Sequence, residues 1–247
     1  MLCVGECMVE LTHVDDRTLR LGFAGDTYNT AVYFRRTAAE LGIDVETGYL
    51  TGLGDDEYSD ALRAECRAEG IADRAVTVPG RVPGLYSIRT SPSGERRFTY
   101  WRGESAARHL LRSTGWIDRI DGDVVHLSGI TLQLTTPASL EALVERLRAL
   151  RAAGARISLD TNYRPAGWPS AEAAAASIGR VAAVATVVLA GRDDLTLLHG
   201  PSPAGDAVRR LAALGAAEVV LRDGAHGAYV AAGDEGVAHV AAQAVDR

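Results

Sequence analysis

A chain of 247 residues, 47% of them hydrophobic and 23% charged, has the make-up of a globular protein of one large domain, long enough to enclose a sizeable core. Its net charge of −6 argues against general nucleic-acid binding, and all 26 of its basic residues are arginine, which excludes chemistry that needs an amine: a P-loop, a Schiff-base aldolase or a pyridoxal enzyme. No apolar run is long enough to span a bilayer, and the opening MLCVGECMVEL has no basic stretch ahead of its apolar one, so neither membrane anchor nor signal peptide is expected and the cytoplasm is the expected compartment.

In chain order, LCVGECMVEL (2–11) reads as one buried strand. On that reading Cys3 and Cys7 lie ~13 Å apart, out of disulfide reach. With Cys66 they match no zinc spacing, and the histidines are scattered. Asp26 is placed to cap a helix running to about Leu41 and ended by Gly42. VETGYLTGLG (45–54) reads as a strand into a turn, and 56–69 as a helix stopped by Gly70. Strands at 74–79, 84–91 and 95–102 follow with no helix between them, PSG (92–94) supplying a turn. The remainder alternates: strand 123–129, a helix at 137–153 entered through Pro137, strand 156–162, helix 170–183, strand 187–191, a helix around 204–214, strand 218–224. Such alternation means a parallel sheet covered by helices on both faces. The antiparallel patch at 74–103 buries little alone and is expected to pack over something as a flap.

Four stretches are candidates for chemistry. In YWRGESAAR (100–108) and the strand before it, Arg96, Phe98, Tyr100 and Arg102 share one face. From Arg81 to Arg112 there are seven arginines and two acids, inside an acidic chain. That is either an anion-holding platform, arginine's fork suiting carboxylate or phosphate, or the solvated end of a flap. FAGDTYNTAVYFRR (23–36) puts Gly25, Asp26 and Asn29 at a helix start, which receives sugar hydroxyls or an anion, or is simply capped. DTNYR (160–164) follows the C-terminal end of a strand, where open α/β sheets bind their ligands. RDGAHGAY (222–229) is a glycine-containing turn that admits a nucleotide or merely joins two strands.

Together with GLGDDEYSD (52–60), PGLY (83–86) and GERRFTYWRGESAAR (94–108), these pieces resemble the ribokinase-like (PfkB) sugar kinases, and within them the sugar-acid branch of 2-keto-3-deoxygluconate kinases. The resemblance runs in order along the whole chain. It implies an α/β fold, a parallel sheet flanked by helices, with a small β-lid formed by about 12–24 and 74–103 closing on the sugar. It implies transfer of the ATP γ-phosphoryl to the 6-hydroxyl of a keto acid, with Mg²⁺. Gly25, Asp26 and Asn29 would hold sugar hydroxyls, Tyr86 and Tyr100 would line the sugar, and Arg102 would take its carboxylate. Arg164 would sit between sugar and phosphates, Asn162 near ATP, and the turn with Arg222, Gly224 and Gly227 along the nucleotide. The implied partner is a small sugar acid, with no nucleic acid or membrane, and a homo-oligomer is expected through the lid or an uncovered sheet face.

The sequence departs from this pattern in three places. The family's GAGD motif, whose amides stabilise the transferring phosphoryl and whose Asp is the base, occurs nowhere in 1–247. The chain reaches AQAVDR (242–247) where that motif is expected to begin, so the catalytic Asp is expected beyond Arg247, the chain is expected to be C-terminally truncated and inactive, and an apolar face is expected to be exposed. Gly191 and Asp194 stand where the family often has Asn and Glu near the metal and phosphates, and Arg222 where a Lys commonly precedes the glycine turn. Alternatives are a non-catalytic sugar-acid-binding remnant and a fructokinase- or ribokinase-type specificity. A nicotinamide oxidoreductase ranks below both, because residues 5–20 hold no G-x-G-x-x-G.

Overall fold

A computed structural model of the chain describes residues 1–91, 93–233 and 236–244. Pro92 of the expected PSG turn and residues 245–247 of AQAVDR lie outside the described residues. The chain forms two compact units: Met1–Ile120 with Leu134–Ser139, and Asp121–Gln133 with Leu140 onward.

The first unit opens with β1 (Leu2–Val4), β2 (Met8–His13) and β3 (Leu19–Ala24), then helix α1 (Asp26–Glu40). The single strand expected over 2–11 is thus two strands. The chain turns at Gly5–Cys7, where Gly5 N donates to Leu50 O at 3.2 Å. The ~13 Å argument about Cys3 and Cys7 falls with that strand, but the three thiols are free and buried. Gly25, not Asp26, is the N-cap of α1; the Asp26 side chain instead accepts from Thr27 N at 2.8 Å. The helix ends as expected near Leu41, with Gly42 at φ +66°.

Next come β4 (Gly48–Leu50), β5 (Gly52–Leu53), α2 (Glu57–Ala68), β6 (Ala72–Asp73), β7 (Val76–Thr77), β8 (Gly84–Thr90), β9 (Arg96–Trp101) and α3 (Ala106–Leu111). Helix α2 starts where Asp56 accepts from Tyr58 N and Ser59 N. Strands β1, β4 and β6 pair in parallel. A four-stranded sheet runs β3-β2-β8-β9, in which β2 and β8 are parallel and the outer pairs antiparallel. Residues 74–79 do not join it as expected: β7 pairs with β5 in a separate two-stranded ladder. Cys3, Cys7, Tyr28, Tyr49, Leu62 and Cys66 are among the residues that close the core of this unit.

The second unit comprises β10 (Val124–Ser128), α4 (Gly129–Leu132), the body of α5 (Pro137–Ala152), β11 (Arg156–Asp160), α6 (Ala171–Ala182), β12 (Val187–Gly191), α7 (Arg192–His199), α8 (Ala204–Ala212), β13 (Glu218–Arg222), β14 (Ala228–Ala232) and β15 (Val237–Val240). Helix α5 has Pro at its first position and a reciprocal cap, Thr136 N donating to Ser139 Oγ and Ser139 N to Thr136 Oγ1. Strands β10 to β13 are parallel and in sequence order, and β14 and β15 extend the sheet antiparallel. In register across them, Val125, Ile157, Leu159, Val188, Val219 and Leu221 are wholly buried, as strands covered on both faces require. The C-terminal ends of β11, β12 and β13 therefore lie side by side, and their loops share one end of the sheet.

Candidate functional site

In the first unit the register of the four-stranded sheet decides which side chains meet. Gly22, Glu10, Tyr86 and Tyr100 form one transverse row. Residues paired across neighbouring strands share a face, so Glu10, Tyr86 and Tyr100 project together. The Tyr86 hydroxyl donates to Glu10 Oε2, and Thr12 Oγ1 donates to Glu10 Oε1 at 3.2 Å. Tyr86 is buried, whereas Tyr100 is 52% exposed; their ring centroids lie 5.6 Å apart, and Phe98 stacks beside Tyr100 at 6.2 Å. Burial and the Glu10 carboxylate together push the Tyr86 phenol well above its usual range, so it is a neutral hydroxyl.

Arg102 lies two residues beyond Tyr100, just past the end of β9. It stands against Gly84, whose added Cβ would come within 3.0 Å of Arg102 Cβ and 2.9 Å of Glu6 Oε1. Arg102 Nη2 pairs with Glu6 Oε2, the two side chains being 18% and 1% exposed. Ser105, the N-cap of α3, donates through Oγ to Glu6 Oε1 and accepts from Arg108 N at 3.2 Å. Burial pushes the Glu6 carboxyl up, against the pull of Arg102 and Ser105. Gly25 belongs to the same knot: a Cβ there would stand 2.2 Å from Glu6 O. Asn29 is exposed one turn further along α1, its N–H bonded to Gly25 O at 2.8 Å. The unit thus brings Gly25, Tyr86, Tyr100 and Arg102 around Glu6 and Glu10. Sequence reasoning overlooked both acids, although two carboxylates inside an apolar run such as LCVGECMVEL were a visible signal.

In the second unit a cleft of about 830 Å³ opens at the C-terminal ends of β11, β12 and β13, with Asn162, Arg164, Arg222 and Gly224 in its wall. That volume is ordinary for a cofactor-sized ligand. Asp194, in the first turn of α7, accepts from Thr161 Oγ1 at 2.9 Å and Tyr163 N at 3.2 Å, with Arg164 Nη1 3.6 Å away. This carboxylate fixes the 161–164 turn, in which Asn162 adopts the left-handed φ of +28°. The turn also sits hard on Gly129, where a Cβ would be 2.0 Å from Thr161 O. Arg222 donates through Nη2 to both oxygens of Asp160, at 2.9 and 3.0 Å. Burial raises the Asp160 carboxyl while Arg222 lowers it. Gly224 has φ +53° in the short 3₁₀ turn Gly224–His226.

Gly227 is not in the cleft wall. It stands behind the turn at φ +92°, and a Cβ there would meet Val240 O at 2.1 Å and Ala242 N at 2.7 Å. Beside it His239 Nε2–H donates to His226 O at 2.7 Å, and the His239 ring lies 4.7 Å from Tyr229. Among the described residues no group of three or more His, Cys, Asp or Glu converges as a metal cage, and no helix is long and apolar enough to cross a membrane.

These features coincide with a known family. The model of the pfkB family carbohydrate kinases matches residues 1–246. The 2-dehydro-3-deoxygluconokinase of Dickeya dadantii is 37% identical over 245 residues, 97% of this chain and 78% of that protein. The crystal structure of a PfkB protein from Polaromonas superposes with a TM-score of 0.85 at 27% identity, covering 99% of this chain and 82% of that one. The aminoimidazole riboside kinase of Salmonella enterica, complexed with aminoimidazole riboside and an ATP analog, shares the fold with a TM-score of 0.80 over 100% of this chain and 78% of its own at 24% identity. With its mostly parallel, helix-flanked sheet and a family match over nearly its whole length, this chain belongs to the pfkB family of carbohydrate kinases.

Proposed function

We propose that the chain is a sugar-acid kinase for 2-keto-3-deoxygluconate (2-dehydro-3-deoxygluconate), acting on the terminal 6-hydroxyl. The observation that carries the reading is Arg102: a largely buried guanidinium just past the end of β9, two residues beyond Tyr100, on a unit whose other features suit a polyol. An arginine there distinguishes an acid from a neutral ketose, because its planar fork matches the two oxygens of a carboxylate. The relative from Dickeya dadantii, by its name, supports the same substrate class. Glu10 and the α1 start with Gly25, Asp26 and Asn29 would take hydroxyls, Tyr100 would cover the apolar face of the substrate, and the sheet would serve as its lid.

The second-unit cleft would hold ATP. Arg164 and Arg222 supply positive charge for phosphates, Asn162 and the Gly224 turn supply polar and backbone contacts, and Gly227 keeps that turn in place. The cleft fits such a group on its arginines and its size. Mg²⁺ keeps most of its waters and leans on phosphates with one or two carboxylates, so Asp193 and Asp194 in the cleft wall would suffice for it. When bound, the nucleotide supplies the phosphoryl group; what this chain contributes is orientation and charge. No residue of 1–247 is assigned as the base, which in this family belongs to the GAGD motif. A sugar-acid-binding role without catalysis is the second reading, which the buried Arg102 and the Glu10–Tyr86 pair of the first unit would serve equally. Pairing through the four-stranded sheet, where Leu19, Leu21 and Trp101 are exposed, would make the protein a homo-oligomer in the cytoplasm.

The test is ATP-dependent phosphorylation of 2-keto-3-deoxygluconate by the chain as it stands and by a reading frame extended through a GAGD segment. Turnover only in the extended form supports the kinase reading and places the base beyond Arg247. Keto-acid binding without turnover in either form selects the binding-protein reading. Phosphorylation of fructose in preference to the keto acid overturns the substrate assignment.

A further inference from the structure

We propose that Glu6 is a positioning residue for substrate selection: it holds the Arg102 guanidinium in the orientation that reads a ligand carboxylate. This rests on the reading of Arg102 given above and adds to it a residue that would touch no substrate. Glu6 is 2% exposed and lies in the turn between β1 and β2, 96 positions before Arg102 in sequence. Its two oxygens are divided between two tasks. Oε2 pairs with Arg102 Nη2, and Oε1 accepts from Ser105 Oγ at the cap of α3. The main chain crowds this carboxylate at Gly84, where a side chain would strike Oε1, and crowds the Glu6 backbone at Gly25, where one would strike its carbonyl oxygen. A carboxylate so enclosed has nowhere else to turn.

Stability alone is a weak reason for burying such a pair, since taking both charges out of water offsets their attraction. Geometry is a better reason. A long arginine side chain has several rotatable bonds, and a guanidinium fixed at one nitrogen presents its other donors in a defined plane. Arg102 Nε is buried and finds no hydrogen-bond acceptor, and Nη2 makes no hydrogen bond besides its ion pair. Buried donors without acceptors are costly, which makes the Glu6 carboxylate beside them important, and the 18% of the side chain that stays exposed is what a ligand carboxylate would meet. The pair also leaves the ligand a guanidinium whose charge is half-balanced in advance. A neutral ketose would gain nothing from it.

The test is calorimetric titration with 2-keto-3-deoxygluconate and with fructose as the neutral ketose. It compares the wild-type chain with Glu6→Gln, Arg102→Ala and the double variant, each checked for folding by circular dichroism and melting. Glu6→Gln is expected to weaken the keto acid about tenfold, the scale of one charge-assisted hydrogen bond, and to leave fructose unchanged. The double variant is expected to bind the keto acid no more weakly than Arg102→Ala alone, because Glu6 acts through Arg102. Equal losses for both ligands, or no loss for the keto acid, overturn the assignment, as do additive effects of the two substitutions. Should Glu6→Gln not fold, Glu6→Asp keeps the charge and shortens its reach; it is expected to weaken only the keto acid, and weakening both ligands alike has the same overturning force. A wild-type chain that binds no keto acid, or an Arg102→Ala that binds it unchanged, refutes the substrate reading itself. Retained selectivity in Glu6→Gln beside a selective loss in Arg102→Ala refutes only the role of Glu6.

Discussion

Replacing Gly25 by alanine tests whether the knot around Glu6 is as closed as its geometry indicates. The backbone there is extended, φ −174°, which any residue adopts, so the penalty is steric and not conformational. The new methyl would stand 2.2 Å from Glu6 O and 3.1 Å from Cys7 Cα. The first distance is roughly 1 Å inside ordinary carbon–oxygen contact. Both obstacles are main chain, so no rotamer change relieves them; either α1 or the β1–β2 turn has to move. Overpacking of this kind costs about 1–3 kcal/mol, and the stiffer unfolded chain returns ~0.4–1 kcal/mol. A net loss of about 1–2 kcal/mol corresponds to a melting temperature lower by roughly 2–8 °C for a chain of this length. Gly22→Ala is the control: three residues earlier, it has nothing within 4 Å of the added Cβ and is expected to melt at or slightly above the wild-type temperature. Thermal melts followed by circular dichroism, with urea titrations to check the slope, decide the matter. A Gly25→Ala protein that melts with the wild type, or one no less stable than Gly22→Ala, refutes the argument from contact distances.

Asp194→Ala leaves Thr161 Oγ1 and Tyr163 N without their acceptor, and is expected to destabilise by about 1–3 kcal/mol in urea titrations and to weaken nucleotide binding along with it; intact stability would show that the 161–164 turn does not need that carboxylate. Burial pushes the Cys3 and Cys66 thiols up to about 12 and Cys7 well above its usual value, so a disulfide-exchange reagent at pH 8 is expected to label none of the three until denaturant is added. Arg36, through Nε and Nη2 on the two oxygens of Glu69, holds that carboxyl below the usual range. A lowered carboxylate stabilises the fold above its unfolded pKa and loses that contribution as pH falls through the folded one. Glu69→Gln is therefore expected to flatten the wild type's stability loss between neutral and acid pH by a small, salt-sensitive amount in urea titrations; an unchanged acid limb would show the pair to be idle.

Where an element announced itself locally, the sequence was a reliable guide. Pro137 at the start of α5, Gly42 and Gly70 after α1 and α2, and the apolar run VVLAG of β12 all sit where their chemistry places them. Helix α7 went unseen because it begins directly on β12, with Gly191 as N-cap and no turn residue between. The break in LCVGECMVEL was hidden for a different reason. Its cause lies in Leu50, Arg102 and Ser105, all distant in sequence, and strand periodicity carries no trace of them. The candidate sites show the same division. Motifs named Tyr86, Tyr100, Arg102, Asn162, Arg164 and Arg222 and took in Asp160 and Asp194, but did not point to Glu6 or Glu10, nor to which partner each carboxylate meets. Glu6, Glu10, Asp160 and Asp194 each meet partners that are adjacent only after folding.

The short turn Gly224–His226 has little stiffness of its own, and the segment behind it makes up the difference. His239 fastens the carbonyl of His226 and backs the ring of Tyr229, while Val240 and Ala242 press on Gly227 closely enough to forbid even a methyl. The turn and the 239–242 segment are therefore packed as one piece, with the cleft on one side and β15 on the other. A substitution at His239 or Val240 would reach the Gly224–His226 wall of the cleft through packing alone, without lining it.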